Sequence, residues 1–350
     1  MLTPSIRARL TNALLRLTVK RLWRPDLAID EVRVHAARSD VRLSGRPPRC
    51  PVEAVEIAGL RAHWFGAPEL AARHGTLLYL HGGAWCMHLP RLYAAFAASL
   101  SNATGLRVLL GEYRLAPEHP FPAGMDDCLA TYRALVEGPH GTPVAIAGDS
   151  AGGSLSLITL MRARDAGLPL PACAVLLSPS TDLTFSGPSM RYNALADPMF
   201  SEASMDLLPE IYCPGQDRSN PLLSPLFGDW SGLPPLYFLA GSTEMLLDDA
   251  VRAHDRATQA GTSSRIDVWS QLPHVFPVMR TLPEARVALQ SITAFIAQQR
   301  ALPRGLAPPV VDPLGAAAAQ AALASAMVAP SDRPSLRGTS ALHLARAQVE

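Results

Sequence analysis

Six short runs, Thr76–Leu80, Leu106–Gly111, Val144–Ala147, Ala172–Leu177, Leu236–Ala240 and Arg265–Trp269, alternate with segments of helical spacing and constrain the fold of this chain most. Runs of four to six residues suit strands, and a mostly apolar run between helices suits a parallel sheet covered on both faces. After Pro122, the residues Met125, Cys128, Leu129, Tyr132, Leu135 and Val136 recur three and four apart and make one apolar helical face. Further helices are expected to begin near Ser150, Leu246 and Pro283. Val52–Ile57 and Leu60–Phe65 read as an opening antiparallel pair, which brings the expected sheet to eight strands. The expectation is an α/β fold whose ligands sit beyond the carboxyl ends of the strands.

Two segments interrupt the alternation. Residues 1–45 and 182–233 are helical or irregular and rich in Pro, Ser and Asp, and the second lies between the sixth and seventh strands, where an insertion covers a site at the strand ends. The expected organisation is therefore N-terminal cap helices over 1–45, a catalytic domain over 46–300 with a cap insertion at 182–233, and a Pro- and Ala-rich mobile tail over 301–350. The N-terminus, with Ile6, Leu10, Leu14, Leu15, Leu17 and Leu22 among six basic residues and no acid before Asp26, reads as a basic amphipathic helix that packs on the rest of the protein. Contact with a membrane surface is its second reading. The most apolar stretch, 310–329, is broken by Asp312, Pro313 and Gly315 and does not suit a bilayer span. A net charge of +1 gives no reason to expect nucleic acid or an acidic partner. Five scattered cysteines without a C-x-x-C pair argue against a disulfide framework or a zinc site, and fit a reducing cytoplasm.

Chemistry enters at the strand ends. Gly148-Asp149-Ser150-Ala151-Gly152 places a serine on a sharp strand-to-helix turn, which exposes its hydroxyl as a nucleophile. His81-Gly82-Gly83 follows the run Leu77–Leu80, where two glycines let backbone N–H groups face a developing oxyanion. A serine hydroxyl needs a general base, and the base needs a group that fixes its tautomer. His274, a few residues past the last strand, is the expected base. For the acid, the loop Gly241-Ser242-Thr243-Glu244-Met245-Leu246-Leu247-Asp248-Asp249 offers Glu244 nearest the strand end, with Asp248 one helical turn on as the reserve. Asp149 and Glu118, beside these motifs, are assigned structural hydrogen bonding, and Cys86 a small buried thiol.

His81-Gly82-Gly83-Ala84-Trp85, Tyr113-Arg114-Leu115-Ala116-Pro117-Glu118, Gly148-Asp149-Ser150-Ala151-Gly152-Gly153 and Pro273-His274-Val275-Phe276 together resemble the hormone-sensitive-lipase-like, or GDXG, family of α/β-hydrolases over about residues 45–300. The resemblance implies an α/β-hydrolase fold, a triad in the chain order Ser150, Glu244, His274, an oxyanion hole from the N–H groups of Gly82, Gly83 and Ala151, and a cap from the N-terminal and inserted segments. The chain departs from the family where Glu244-Met245-Leu246 stands for Asp-Pro-Leu, and where Ser154 stands for an asparagine. The form around Glu244 is most similar to members acting on lactones or small acetyl esters. The activity implied is hydrolysis of short-chain or small cyclic esters through an acyl-enzyme, with no cofactor and no metal, and with pairing of two chains through the last strand and helix. An amidase or formamidase, a long-chain lipase and a non-catalytic binding protein on the same scaffold are the alternatives.

Overall fold

The computed structural model describes residues 3–22, 28–44 and 48–301. These belong to one compact unit, Met1–Pro308, and a second unit, Pro309–Glu350, lies outside the described residues, as does the expected tail from residue 302 onward. The strands are β1 (Val52–Ile57), β2 (Leu60–Phe65), β3 (Thr76–Leu80), β4 (Arg107–Gly111), β5 (Ala145–Asp149), β6 (Cys173–Leu177), β7 (Leu236–Gly241) and β8 (Ser264–Trp269). They form one sheet in the order β1-β2-β4-β3-β5-β6-β7-β8, with β1 and β2 antiparallel to their neighbours and the rest parallel. The sheet has the strand count and mixed character expected of the sequence.

The helices are α1 (Ile6–Thr18), α2 (Ile29–Leu43), α3 (Pro68–His74), α4 (Pro90–Thr104), α5 (Ala123–Glu137), α6 (Ala151–Asp165), α7 (Ser189–Tyr192), α8 (Glu202–Tyr212), α9 (Leu247–Gln259) and α10 (Pro283–Ala301). Successive residues of the central strands point to opposite faces. Leu78, Leu80, Ile146, Leu176 and Phe238 pack with α5, α6 and α9, through residues such as Tyr132, Leu155 and Ala253. Leu77, Tyr79, Val108, Val175 and Tyr237 pack with α4 and α10, through Phe96, Leu100, Ile292 and Phe295. Both faces are dry, which explains why the strands between β2 and β8 read as nearly continuous apolar runs.

A third, smaller core joins the segments that interrupt the alternation to the loops beyond the strands. Val32 of α2 and Met190, Phe200, Met205 and Leu208 of the inserted segment pack with Ala84 and Cys86 after β3 and with Met245 and Leu246 after β7. Polar anchors fix the same segments. Arg33 of α2 donates to the carbonyls of Cys86 (2.8 Å) and Ala116 (2.7 Å) and forks onto the Glu118 carboxylate. That bidentate contact holds the Glu118 carboxyl down at about 2. Asp40 of α2 accepts the first N–H groups of α4, from Arg91 and Leu92, at 2.9 and 2.8 Å.

α1 packs on the protein, but by a different face from the one its apolar periodicity indicates. Ala8, Asn12 and Leu15 are buried, with Asn12 donating to the Gln271 carbonyl at 2.9 Å, while Ile6, Leu10, Leu14 and Leu17 lie on the exposed side. Short side chains and an amide let the helix approach the Gln271 loop closely, and the leucine face is left outward.

At the start of α9, the buried Asp249 accepts the Thr181 and Asp182 N–H groups at 2.7 and 2.9 Å and so ties the inserted segment to β7 and α9. Burial and then the neighbouring Asp182 charge push its carboxyl up to about 8. A carboxyl raised on folding stabilises the protein fully below its unfolded value near 4 and loses that contribution as pH rises to about 8. Denaturant titrations should therefore show unfolding free energy falling across this window, by up to about 1.4 kcal/mol per pH unit from this one group. Asp249→Asn should flatten that slope; an unchanged slope in the variant would show that Asp249 does not carry it.

Candidate active site

β5 runs two residues further than expected, because Gly148 and Asp149 pair with Leu176 and Leu177 of β6. Ser150 is thus the first residue after the strand and the cap position of α6. Its φ of 51° is in the left-handed region, which non-glycine residues seldom occupy. The turn is tight enough that a Cβ on Gly152 would collide with the carbonyl oxygens of Leu80 and His81. Ser150 is held by its N–H to the Leu177 carbonyl at 2.8 Å.

The structure brings Ser150, His274 and Glu244 into one hydrogen-bonded line. His274 Nε2 lies 2.9 Å from Ser150 Oγ, and His274 Nδ1 lies 2.8 Å from Glu244 Oε2. All three side chains are buried, Glu244 fully, so the acid interacts with the imidazole in a poorly solvated setting. Glu244 Oε1 accepts the Ser178 hydroxyl at 2.8 Å and the Gly241 N–H. Ser178 Oγ also accepts the Val275 N–H at 3.0 Å, so one hydroxyl orients both Glu244 and the loop that carries His274. Asp248, the reserve acid, turns away from His274: its carboxylate accepts the Ser189 N–H at 2.6 Å and the Tyr192 hydroxyl at 3.2 Å, and so secures α7.

The segment after β3 corrects one expectation. Gly82 does not offer its N–H to the cavity but donates it to Asp149 Oδ1 at 2.9 Å, and a Cβ there would run into the same carboxylate. Asp149 also accepts the hydroxyls of Tyr79 (2.7 Å) and Tyr93 (2.9 Å). Burial raises the Asp149 carboxyl, and these three donors oppose that rise. Gly82 is thereby consumed in holding the loop. Among the described residues, the N–H groups of Gly83, Ala84 and Ala151 have no acceptor, and Gly83 and Ala84 line the cavity beside Ser150. Gly83 and Ala84 both have positive φ, 116° and 53°, and this irregular backbone follows β3 directly.

His81 is structural. Its ring stacks on Tyr113 and His88, with centroids 4.4 and 4.7 Å away, and burial drives its pKa down to about 3, so the ring is neutral. Cys86 is buried and its thiol is pushed up to about 12 by burial, which makes it inert at neutral pH.

Several residues without a local sequence signal complete the site. Asp197, in the inserted segment, accepts the N–H groups of Met199, Phe200 and Met245 at 2.7, 2.9 and 2.8 Å. Asn193 donates to the carbonyls of Ser242 and Glu244 at 3.0 and 2.8 Å. Phe200 sets its ring edge-on to His274, centroids 4.9 Å apart. Only Ser178 was within reach of sequence reasoning, as the first residue after an apolar strand.

Ser150 borders two spaces of unequal size. One is an apolar cavity of about 620 Å³ lined by residues of α1 and α2, by Leu92, Met199, Val275 and Val278, and by Ser150 and His274. The other is a recess of about 10 Å³, the room of a single water, walled by Ala84, Trp85, Phe185, Phe200, Met205, Leu208 and Leu246. Ser150 borders both, and His274 borders the large cavity. Among the described residues no cluster of His, Cys, Asp and Glu is placed to hold a metal ion, and no helix is long and apolar enough to cross a membrane.

Residues 77–278 match the family described as the alpha/beta hydrolase fold. The chain is 39 % identical over 253 residues to an acetyl-hydrolase of Streptomyces hygroscopicus, covering 70 % of this chain and 82 % of that protein. It is 31 % identical over 288 residues to an esterase of Acinetobacter venetianus, covering 81 % and 94 %. Among solved structures, it is similar to an esterase of the bacterial hormone-sensitive lipase family, with a TM-score of 0.77, 35 % identity and coverage of 85 % of this chain and 99 % of that one.

The geometry predicts a single activated hydroxyl. A sulfonyl fluoride should add one label at Ser150, read by mass spectrometry, and Ser150→Ala should abolish it. His274→Ala and Glu244→Ala should slow labelling by at least about 100-fold, whereas Asp248→Ala should label within about threefold of the native rate. Fast labelling of Glu244→Ala, or slow labelling of Asp248→Ala, would reassign the acid.

Proposed function

The chain belongs to the α/β-hydrolase fold family, and from that premise we propose that this carboxylic-ester hydrolase cleaves acetyl and other short-chain esters of bulky apolar alcohols by a Ser150–His274–Glu244 relay and an acyl-enzyme. Ser150 Oγ attacks the ester carbonyl while His274 Nε2 takes its proton, and Glu244 holds the opposite N–H and offsets the charge of the imidazolium. The tetrahedral oxyanion is received by the N–H groups of Ala151, Gly83 and Ala84, the first of these also at the positive end of α6. Collapse breaks the bond to the alkoxide, which leaves with the proton from Nε2. Water then adds to the acyl-enzyme with His274 again as base, and the carboxylic acid departs. Residues 3–22, 28–44 and 182–233 act as the cap that shuts water away from this sequence of steps.

The observation that carries the substrate assignment is the inequality of the two spaces at Ser150. The departing oxygen has to reach His274 Nε2, and His274 borders the large cavity, so the alcohol belongs there and the acyl group is directed into the one-water recess. A cavity of about 620 Å³ is within the range that holds a drug-sized molecule. The recess has room for little more than a methyl group. A lactone, whose acyl carbons and leaving oxygen share one ring, does not divide between the two spaces and is the weaker fit. The acetyl-hydrolase of Streptomyces hygroscopicus supports the same side of the choice.

Hydrolysis of p-nitrophenyl acetate, butyrate and octanoate, of naphthyl acetate and of a seven-membered lactone tests this. Acetate should exceed octanoate by at least about tenfold in kcat/KM, since each methylene that does not fit costs of that order, and naphthyl acetate should exceed the lactone. Leu208→Ala, which enlarges the recess, should raise octanoate hydrolysis relative to acetate. A native preference for octanoate would overturn the assignment, and full activity in folded Ser150→Ala would overturn the mechanism.

A further inference from the structure

α1 is amphipathic in the inverted sense. Its buried side is Ala8, Asn12 and Leu15, and its outward side carries Ile6, Leu10, Leu14 and Leu17, exposed by 75, 65, 46 and 59 %. At 100° per residue these four fall within a sector of about 80°, so they form one continuous stripe about 17 Å long rather than scattered apolar residues. Arg9 and Arg16 lie along one side of the stripe and Arg7 along the other, and no acidic residue occurs from 3 to 22. The same sequence buried as its periodicity suggests would need no explanation; turned outward, it faces water with its most apolar surface.

Neighbouring parts of the cap extend the stripe. Arg16 and Lys20 donate to the carbonyls of Ala196 and Ala194 at 2.8 Å, which lays residues 194–197 against the Arg16 side of the helix. Between those two carbonyls stands Leu195, 93 % exposed. Leu14 belongs both to the stripe and to the rim of the large cavity above Ser150, so the stripe meets the cavity at its own edge.

We propose that the outward face of α1, with Leu195, seats on an anionic lipid surface and sets the mouth of the ester-binding cavity against the bilayer. An apolar stripe flanked by Arg7 on one side and by Arg9 and Arg16 on the other, on a helix that itself carries no acid, is complementary to acyl chains below a layer of negative headgroups. A water-facing second copy would satisfy the leucines but would bring Arg7, Arg9 and Arg16 against their own counterparts, which favours the membrane over self-association. Substrate with a bulky apolar alcohol partitions into that same layer, so docking would place the cavity where such esters are concentrated.

Co-sedimentation of the full chain with vesicles of phosphatidylcholine alone and of phosphatidylcholine with 30 % phosphatidylglycerol tests the proposal independently of catalysis. Binding is expected to the anionic vesicles, weakened at high salt, and at least tenfold weaker to the neutral ones. Arg9→Gln should weaken it about fivefold, the effect of one basic charge at such a surface. Leu10→Ser/Leu17→Ser should abolish it while leaving the circular dichroism spectrum and the hydrolysis of soluble p-nitrophenyl acetate unchanged, because neither residue lines the cavity. No binding to anionic vesicles would overturn the proposal. So would light scattering that shows a dimer which Leu10→Ser/Leu17→Ser converts to monomer, since the stripe would then be covered by a second copy.

Discussion

Everything at the strand ends depends on one carboxylate placed where water does not reach. Asp149 closes β5 one residue before Ser150, and its two oxygens take the Gly82 N–H and the hydroxyls of Tyr79 and Tyr93. An isolated carboxylate in such a place would cost several kcal/mol, and three donors offset that cost only if β3, α4 and the segment after β3 hold their positions. The site's geometry is thus secured by an obligation: the loop that presents Gly83 and Ala84 cannot drift without leaving a buried charge unpaired. The neutral His81 ring, stacked between Tyr113 and His88, packs the same loop from the other side.

The second level of organisation joins α2 and the inserted segment to the loops after β3, β6 and β7 by shared polar partners. Asp197 links the backbone beside Phe200 to Met245, next to Glu244, and Asn193 grips the Glu244 carbonyl. Ser178 links Glu244 to the backbone beside His274. Arg33 does the equivalent for α2, reaching Cys86 after β3 and Glu118 after β4. The inserted segment and the Ser150–His274–Glu244 line are consequently one mechanical assembly, in which the Phe200 wall of the recess and the backbone beside Glu244 are held by the same residues.

The parts of this arrangement that follow from local chemistry were legible in the sequence. Parallel strands buried on both faces, the elbow at Ser150 and the loops carrying Glu244 and His274 each leave a pattern of residue types at a strand end. What depends on direction was not legible. A pair of glycines permits backbone N–H groups to face a cavity but does not say which will, and Gly82 is claimed by Asp149. Periodicity identified the apolar side of α1, yet which side turns inward is decided by Asn12 finding the Gln271 carbonyl and by Ala8 permitting close approach. Asp197 and Asn193 act through contacts about 50 residues away in the chain, and nothing beside them in the sequence marks that.

The composition of the third core separates what this protein can change from what it cannot. α6, behind the nucleophile, is buried along nearly its whole length and leaves almost no side chain free to vary. The third core contains instead Met190, Met205 and Met245, long unbranched chains that refill an altered space by rotating rather than by shifting backbone. A change at one methionine of this core can therefore be absorbed by its neighbours, whereas a change in the polar links made by Asp197, Asn193 or Ser178 would be felt at Glu244.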